Sequence, residues 1–354
     1  KKLIKKPVFK LPSLKIKKNI ILILLFILFL AAGFFISRRE EREKLKVYQE
    51  TLNQIQTNEG NLEESWYALL NLKGISAAAP QDFKEQILKL EKKISDELFA
   101  LNKLTEIPEP ELIFEANPRE FIPQKITFFE GKLYSFSPYA KNLFEINKED
   151  EGRIIQIDKK ISLAAALSDS VLFFSKPDQL IDFKDGEFGK TFSLPLPSSE
   201  SEFNDFDSYK SNLYFLNAKS GQIVKYPYLW DQPQIWLEDK KATDFKSMAV
   251  DGSVWILTKS NSVERYYAGR LQETLNLDIF PSPKEFSKIF ALAGLPYLYL
   301  LEPGQKRMVI TNRTGEIIRQ FRSDKFNNLL DFTVSEDGKI IYLLNGQKIY
   351  KIGL

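Results

Sequence analysis

A short apolar quartet returns six times at nearly constant spacing in this chain, and no other feature restricts the fold as much. The copies are Leu133-Tyr134-Ser135-Phe136, Val171-Leu172-Phe173-Phe174, Leu213-Tyr214-Phe215-Leu216, Val254-Trp255-Ile256-Leu257, Leu298-Tyr299-Leu300-Leu301 and Ile341-Tyr342-Leu343-Leu344, with starts 38, 42, 41, 44 and 43 residues apart. Ahead of each comes a strand-like run and a tight turn, clearest as AVDG at 249–252 and SEDG at 335–338, with Gly131 and Gly294 at the matching turns of two other copies. Asp and Gly suit the left-handed backbone that a hairpin turn demands. A third run follows 8 to 10 residues after each quartet begins, as in Leu143-Phe144-Glu145-Ile146, and five copies continue to a fourth. Four antiparallel strands every 40 to 45 residues make the blade of a β-propeller.

The sixth copy stops at Leu354 without its fourth strand, whereas Glu111-Leu112-Ile113-Phe114-Glu115 stands as a spare strand ahead of the first. That spare strand is expected to complete the last blade and close the ring. The 244 residues from 111 to 354, shared among six blades, give about 41 each, inside the propeller range. The expected fold is therefore mainly β, a six-bladed propeller over 111–354, with five or seven blades as alternatives.

The AVDG…VWIL and SEDG…IYLL segments resemble NHL and YVTN-type propeller repeats, a likeness confined to the propeller. The WD40 signature is excluded: there is no His, and the one Trp-Asp pair, Trp230-Asp231, is not repeated. In layout the chain is similar to the membrane-distal half of proteins from uncultured bacteria that carry a PP2C-type phosphatase domain in the cytoplasm. That resemblance implies a signalling neighbour upstream of Lys1, which is not a start Met; no phosphatase motif is present in the 354 residues themselves.

Upstream of the propeller, Ile20 to Ile36 is an uninterrupted apolar run of 17 residues, at the short end of what crosses a bilayer as a helix. Cleavage as a signal peptide is disfavoured, because the run ends Phe34-Phe35-Ile36-Ser37 and meets Arg38-Arg39 rather than small residues. Eight Lys and no acid precede it, in residues 1–18, against Arg38, Arg39, Arg42, Lys44 and Lys46 behind it, mixed with Glu40, Glu41 and Glu43. The positive-inside rule counts the bases and sets the N-terminus in the cytoplasm. The expected division is a basic cytoplasmic segment 1–18, a transmembrane helix 19–37, a stalk 38–107 and an extracytoplasmic propeller 111–354. Lipid is the expected neighbour of the basic segment, and nucleic acid is disfavoured.

Between membrane and propeller, helix faces read Leu45, Tyr48, Leu52, Ile55, then Leu62, Trp66, Leu69, then Phe83, Ile87, Leu90, Ile94, Leu98, Leu101. Asn61 and Glu64 have capping-box spacing, Lys73-Gly74 reads as a stop, Pro80 suits a first turn, and Pro108 and Pro110 end the last helix. The segment is expected to form a helical hairpin or short coiled coil, with homodimerisation along its stripe as the alternative.

Chemistry is bounded by what the chain lacks. With no Cys and no His, disulfides, thiolate and imidazole metal ligands, Cys nucleophiles and imidazole bases are all excluded. No phosphate-cradling glycine pattern occurs. Glu200, Glu202, Asp205 and Asp207 cluster without the spacing of a calcium loop, and Tyr226, Tyr228, Trp230 and Trp236 form an aromatic cluster that packing explains by default. Asn312-Arg313-Thr314 matches a glycosylation sequon. No catalytic, cofactor or metal residue is assigned. The candidate ligand contacts are loop cations between the second and third strands, Lys141, Lys176, Lys219, Lys259, Lys306 and Arg307. Bases at a repeated station form a ring that attracts an acidic protein or an anionic polymer, although loop lysines are commonly just solvated. The functional expectation is a non-enzymatic, membrane-anchored binding module. The sensor half of a signalling protein and a propeller hydrolase or lyase are the alternatives.

Overall fold

The computed structural model describes residues 18–57, 61–147, 152–227, 230–238 and 244–354, with side chains of the first helix described from Phe26 on. The basic segment 1–17 lies outside the described residues. The chain divides into two compact units, Lys1–Glu97 and Leu98–Leu354.

The first unit is helical. Helix α1 spans Lys18–Thr57, α2 Leu62–Ile75 and α3 Gln81–Leu101, whose last turn belongs to the second unit. Asn61 caps α2 by accepting the Glu64 N–H at 3.1 Å, as its spacing predicts. The expected stop at Lys73-Gly74 is passed by one residue, because Ser76 caps the end instead and donates its hydroxyl to Leu72 O at 2.6 Å. Leu52, Ile55, Leu69, Leu72, Phe83, Ile87 and Ile94 are buried, the Tyr48 ring stacks on Phe83 at 6.2 Å, and Lys73 pairs with Glu91 at 2.6 Å. Among the described residues no helix is long and apolar enough to cross a membrane; the expected span 20–36 lies partly outside them, since the side chains of residues 20–25 are not described.

The second unit is a six-bladed β-propeller. Six separate sheets follow one another along the chain, with innermost strands Lys125–Phe129, Leu163–Ala166, Asp205–Tyr209, Phe245–Val250, Lys288–Ala291 and Leu329–Val334 in blades 1 to 6. Each apolar quartet forms the second strand of its blade. Both faces of a blade pack against neighbours, which explains why these quartets, Ser135 apart, are apolar throughout rather than alternating. Among the described residues, six clusters fill the gaps between neighbouring blades and constitute the core of the propeller. Within one quartet Leu133 joins the cluster between blades 6 and 1, while Tyr134 and Phe136 join the one between blades 1 and 2. Each fully buried Phe, Leu or Ile stabilises by about 1.5–3 kcal/mol relative to an exposed one.

The ring closes as the sequence leads one to expect. Glu111–Glu115 pairs antiparallel with Lys348–Gly353, Leu112 opposite Tyr350, and so supplies the fourth strand of blade 6. Lys351 adds an ion pair to Glu111 at 3.1 Å. A second addition is unexpected: Leu104–Glu106, directly after α3, runs parallel to Ile317–Arg322 and gives blade 5 a fifth strand. It is tied down by Gln320, whose N–H reaches Lys103 O at 2.8 Å and whose side-chain amide reaches Asn102 O at 2.9 Å.

Candidate functional site

One residue at the start of each innermost strand occupies an equivalent station around the channel. Lys125 lies opposite Phe136, Leu163 opposite Phe174, Asp205 opposite Leu216, Ser247 opposite Leu257, Lys288 opposite Leu301 and Asp331 opposite Leu344. Every one of these partners is the fourth residue of its quartet. The strand is locally irregular there. In blades 1, 2, 3 and 5 the residue before the station also donates its N–H to the partner's carbonyl, at 3.0, 2.7, 2.9 and 2.8 Å, and in blades 4 and 6 the register slips at this place. Such bulges re-aim a side chain next to a site. All six stations line one cavity of about 100 Å³, together with Asn204, Lys246 and Ser287.

Most of the station side chains tie one blade to the next. Asp331 Oδ2 accepts Ile126 N–H at 3.0 Å, Asp205 Oδ2 accepts Met248 N–H at 2.8 Å and the Ser247 hydroxyl at 2.7 Å, and Ser247 Oγ accepts Ile289 N–H at 3.3 Å. Lys288 cannot accept, and instead donates to Asp331 and, at 3.0 Å, to Phe332 O. Two residues along, Asp207 Oδ2 accepts Val250 N–H at 2.7 Å and Oδ1 accepts Ser208 N–H at 2.7 Å. Burial nevertheless dominates and pushes the Asp207 carboxyl up to about 7, with the neighbouring Asp205 charge acting in the same direction. Asp331 holds the Lys125 ammonium above the usual lysine range against the cost of its burial, and Asp205 adds to this.

The same register locates the predicted loop cations. Because the first residue of the innermost strand faces the end of the second strand, the turns between second and third strands leave the propeller at the end where the cavity opens. Lys141, Lys176, Lys219 and Lys259 are exposed in those turns and Lys306 is half-buried. Lys176 lies 3.7 Å from Glu202 and Lys306 3.2 Å from Asp324. Arg307 does not belong with them. It is fully buried, donating to Glu302 at 2.6 Å, Gln320 at 2.7 Å and Pro281 O at 2.6 Å, because it begins a strand whose side chain turns into blade 5.

The acidic cluster also resolves into separate roles. Asp205 lines the channel cavity, Asp207 accepts the Val250 N–H of the next blade, Glu202 pairs with Lys176, and among the described residues no group of three or more acids is placed to hold a metal ion. Tyr226 is buried with its hydroxyl on Pro195 O at 2.8 Å, Trp230 donates to Ser211 O at 3.1 Å, and Trp236 packs edge-on against Tyr214. Tyr228 lies outside the described residues. The Asn312 amide of the sequon is engaged with Glu316 at 2.8 Å.

No family model matches the chain and no curated protein matches it. Solved structures do. Regucalcin, described as a calcium-binding protein, from Agrobacterium tumefaciens strain C58 is 12% identical, with a TM-score of 0.54 over 71% of this chain and 95% of that one. A gluconolactonase from Xanthomonas campestris is 8% identical, with a TM-score of 0.53 over 69% and 88%. U3-55K is 7% identical, with a TM-score of 0.53 over 70% and 100%. At such identities the likeness is one of fold, and the fold is the β-propeller; the phosphatase-linked layout finds no support among these structures.

Proposed function

We propose that the chain is a membrane-anchored binding module whose propeller takes up an anionic partner, an acidic protein or polymer, at the end where its channel cavity opens. The observation that carries this is a convergence: the charged stations, the cavity and the exposed turn lysines all lie at one end. Loops at one end of a rigid scaffold are where propellers gather their contacts. The channel carboxylates are engaged in ties between blades, which favours binding over turnover. Anchoring rests on the apolar run and its basic flank. On α1 the consecutive residues Phe26 to Leu30 and then Phe34 to Ile36 are all more than half exposed, a surface that suits lipid rather than water.

The test uses the full chain, made in a membrane host and reconstituted in nanodiscs, over surfaces bearing polyglutamate, polyphosphate or polylysine. Retention on the polyanions, lost with 0.5 M salt and with Lys141, Lys219 and Lys259 changed together to Glu, is the expected result. Equal retention on polylysine, or release of the chain from membranes by alkaline carbonate, would remove the proposal.

A further inference from the structure

We propose that the mouth of the propeller channel binds one small oxyanion, a carboxylate or phosphate group, on the Lys125 ammonium. The inference deepens the reading of this end as the binding face and rests on it.

The cavity limits the size of the occupant. At about 100 Å³ it has room for a few waters or a single acetate- or phosphate-sized group. Its charges fall into spent and unspent. Asp331 is engaged by Lys288 and the Ile126 N–H, and Asp205 by Phe206 N–H, Met248 N–H and the Ser247 hydroxyl. Lys246, on the same wall, pairs with Glu285. By contrast, among the described residues no hydrogen bond or ion pair reaches Lys125 Nζ.

The reason lies in the break of the ring. The next station after Lys125 is Leu163, which offers no acceptor, so the three Lys125 ammonium donors are left without a hydrogen-bond partner in a half-buried place, and the Asp331 and Asp205 carboxylates act on the charge only through space. Asn204 lines the same cavity and its Oδ1 is taken by Ala218 N–H at 3.1 Å, so its remaining capacity is also that of a donor. Two sets of donors without acceptors, one of them charged, call for an oxyanion.

The test is isothermal titration of the full chain in nanodiscs with sodium acetate and, separately, with inorganic phosphate, at constant ionic strength. One-site saturable binding is expected for at least one of them, and which one responds tells carboxylate from phosphate. Lys125→Gln weakens it at least tenfold, Lys125→Arg largely keeps it, and Lys184→Gln, which loses a pair with Asp169 at the opposite end, leaves it unchanged. No saturable binding by the parent chain, or equal binding by Lys125→Gln, overturns the site. Should Lys125→Gln not fold, Asn204→Ala replaces it, with severalfold weakening expected and unchanged affinity counting against. If binding of the small anions survives Lys125→Gln while the loop-lysine variant loses polyglutamate, the channel site falls and the binding face stands. If neither changes anything, both fall.

Discussion

Asp331 Oδ2 accepts the backbone N–H of Ile126 at 3.0 Å, so one carboxylate of the last blade is bonded to the first blade at the channel wall. The same carboxylate is the partner of Lys288 from blade 5. Asp331→Ala strips both, and unfolding in urea should show a loss of about 3 kcal/mol. Asp331→Asn keeps an acceptor for the N–H and should lose less. A loss below about 0.5 kcal/mol for the alanine variant would mean the tie is redundant.

Arg307 and Glu302 form an ion pair with neither side chain more than 1% exposed. Removing one partner leaves a buried charge, so Arg307→Met alone should cost about 3–5 kcal/mol. The double change Arg307→Met with Glu302→Met should cost less than the sum of the two singles, by more than 1 kcal/mol of coupling. Additive singles in a thermodynamic cycle would show that the two residues do not act as a pair.

Phe114, in the strand that completes blade 6, sits 4.7 Å from the Phe144 ring of blade 1. Phe114→Ala should lower stability by about 3 kcal/mol, and limited proteolysis should then cut ahead of residue 116 sooner than in the parent. Unchanged protection would show that the closing strand is held by its ladder alone.

Asp207 makes stability fall with rising pH. Its carboxyl goes from an ordinary 3.8 to about 7 in the folded chain, so between those values the folded form keeps a proton that the unfolded form has released. Stabilisation by that proton is complete below about 4 and gone above about 7. The full difference is about 4 kcal/mol at most, and Asp207→Asn should flatten the stability curve across this window. Parallel curves for parent and variant would contradict the raised value.

Gly338 ends the SEDG turn with φ +73°, and a Cβ there would meet Leu295 Cδ1 at 2.3 Å. Gly338→Ala combines backbone strain with a clash, for a cost of about 1–3 kcal/mol. Leu295→Ala in the same chain should recover part of it, which thermal unfolding of the three variants measures.

The blades were legible because a structure that buries both faces of every sheet writes its second strands as runs of apolar residues, four in a row in five of the six blades described. The closing strand was legible from a deficit at Leu354 matched by a surplus at Glu111. Leu104–Glu106 was not, since three residues after a helix carry no period of their own, and their place is set by Gln320 far along the chain. Arg307 was misplaced because it adjoins Lys306 in a turn, and one residue decides between solvent and the interior of blade 5. The channel stations were hidden for a different reason. Each stands opposite the end of a quartet, but the connecting turn varies, so the offset runs from 10 residues for Ser247 to 13 for Lys288 and Asp331. Counting back across the turn glycine, rather than by a constant number, would have found them.

The borrowed fourth strand of blade 6 also sets an order of events at the ribosome. Glu111–Glu115 is made before any blade, yet its partner is Lys348–Gly353, made only after the first five blades and the inner strands of the sixth. Until Lys348–Gly353 has left the exit tunnel the nascent chain carries an open arc with an unmatched edge at each end, and only then can the arc become a ring. A message truncated anywhere in the sixth blade therefore yields no smaller propeller. It yields a product with two sticky edges, which cellular proteases and holdases would recognise as unfinished.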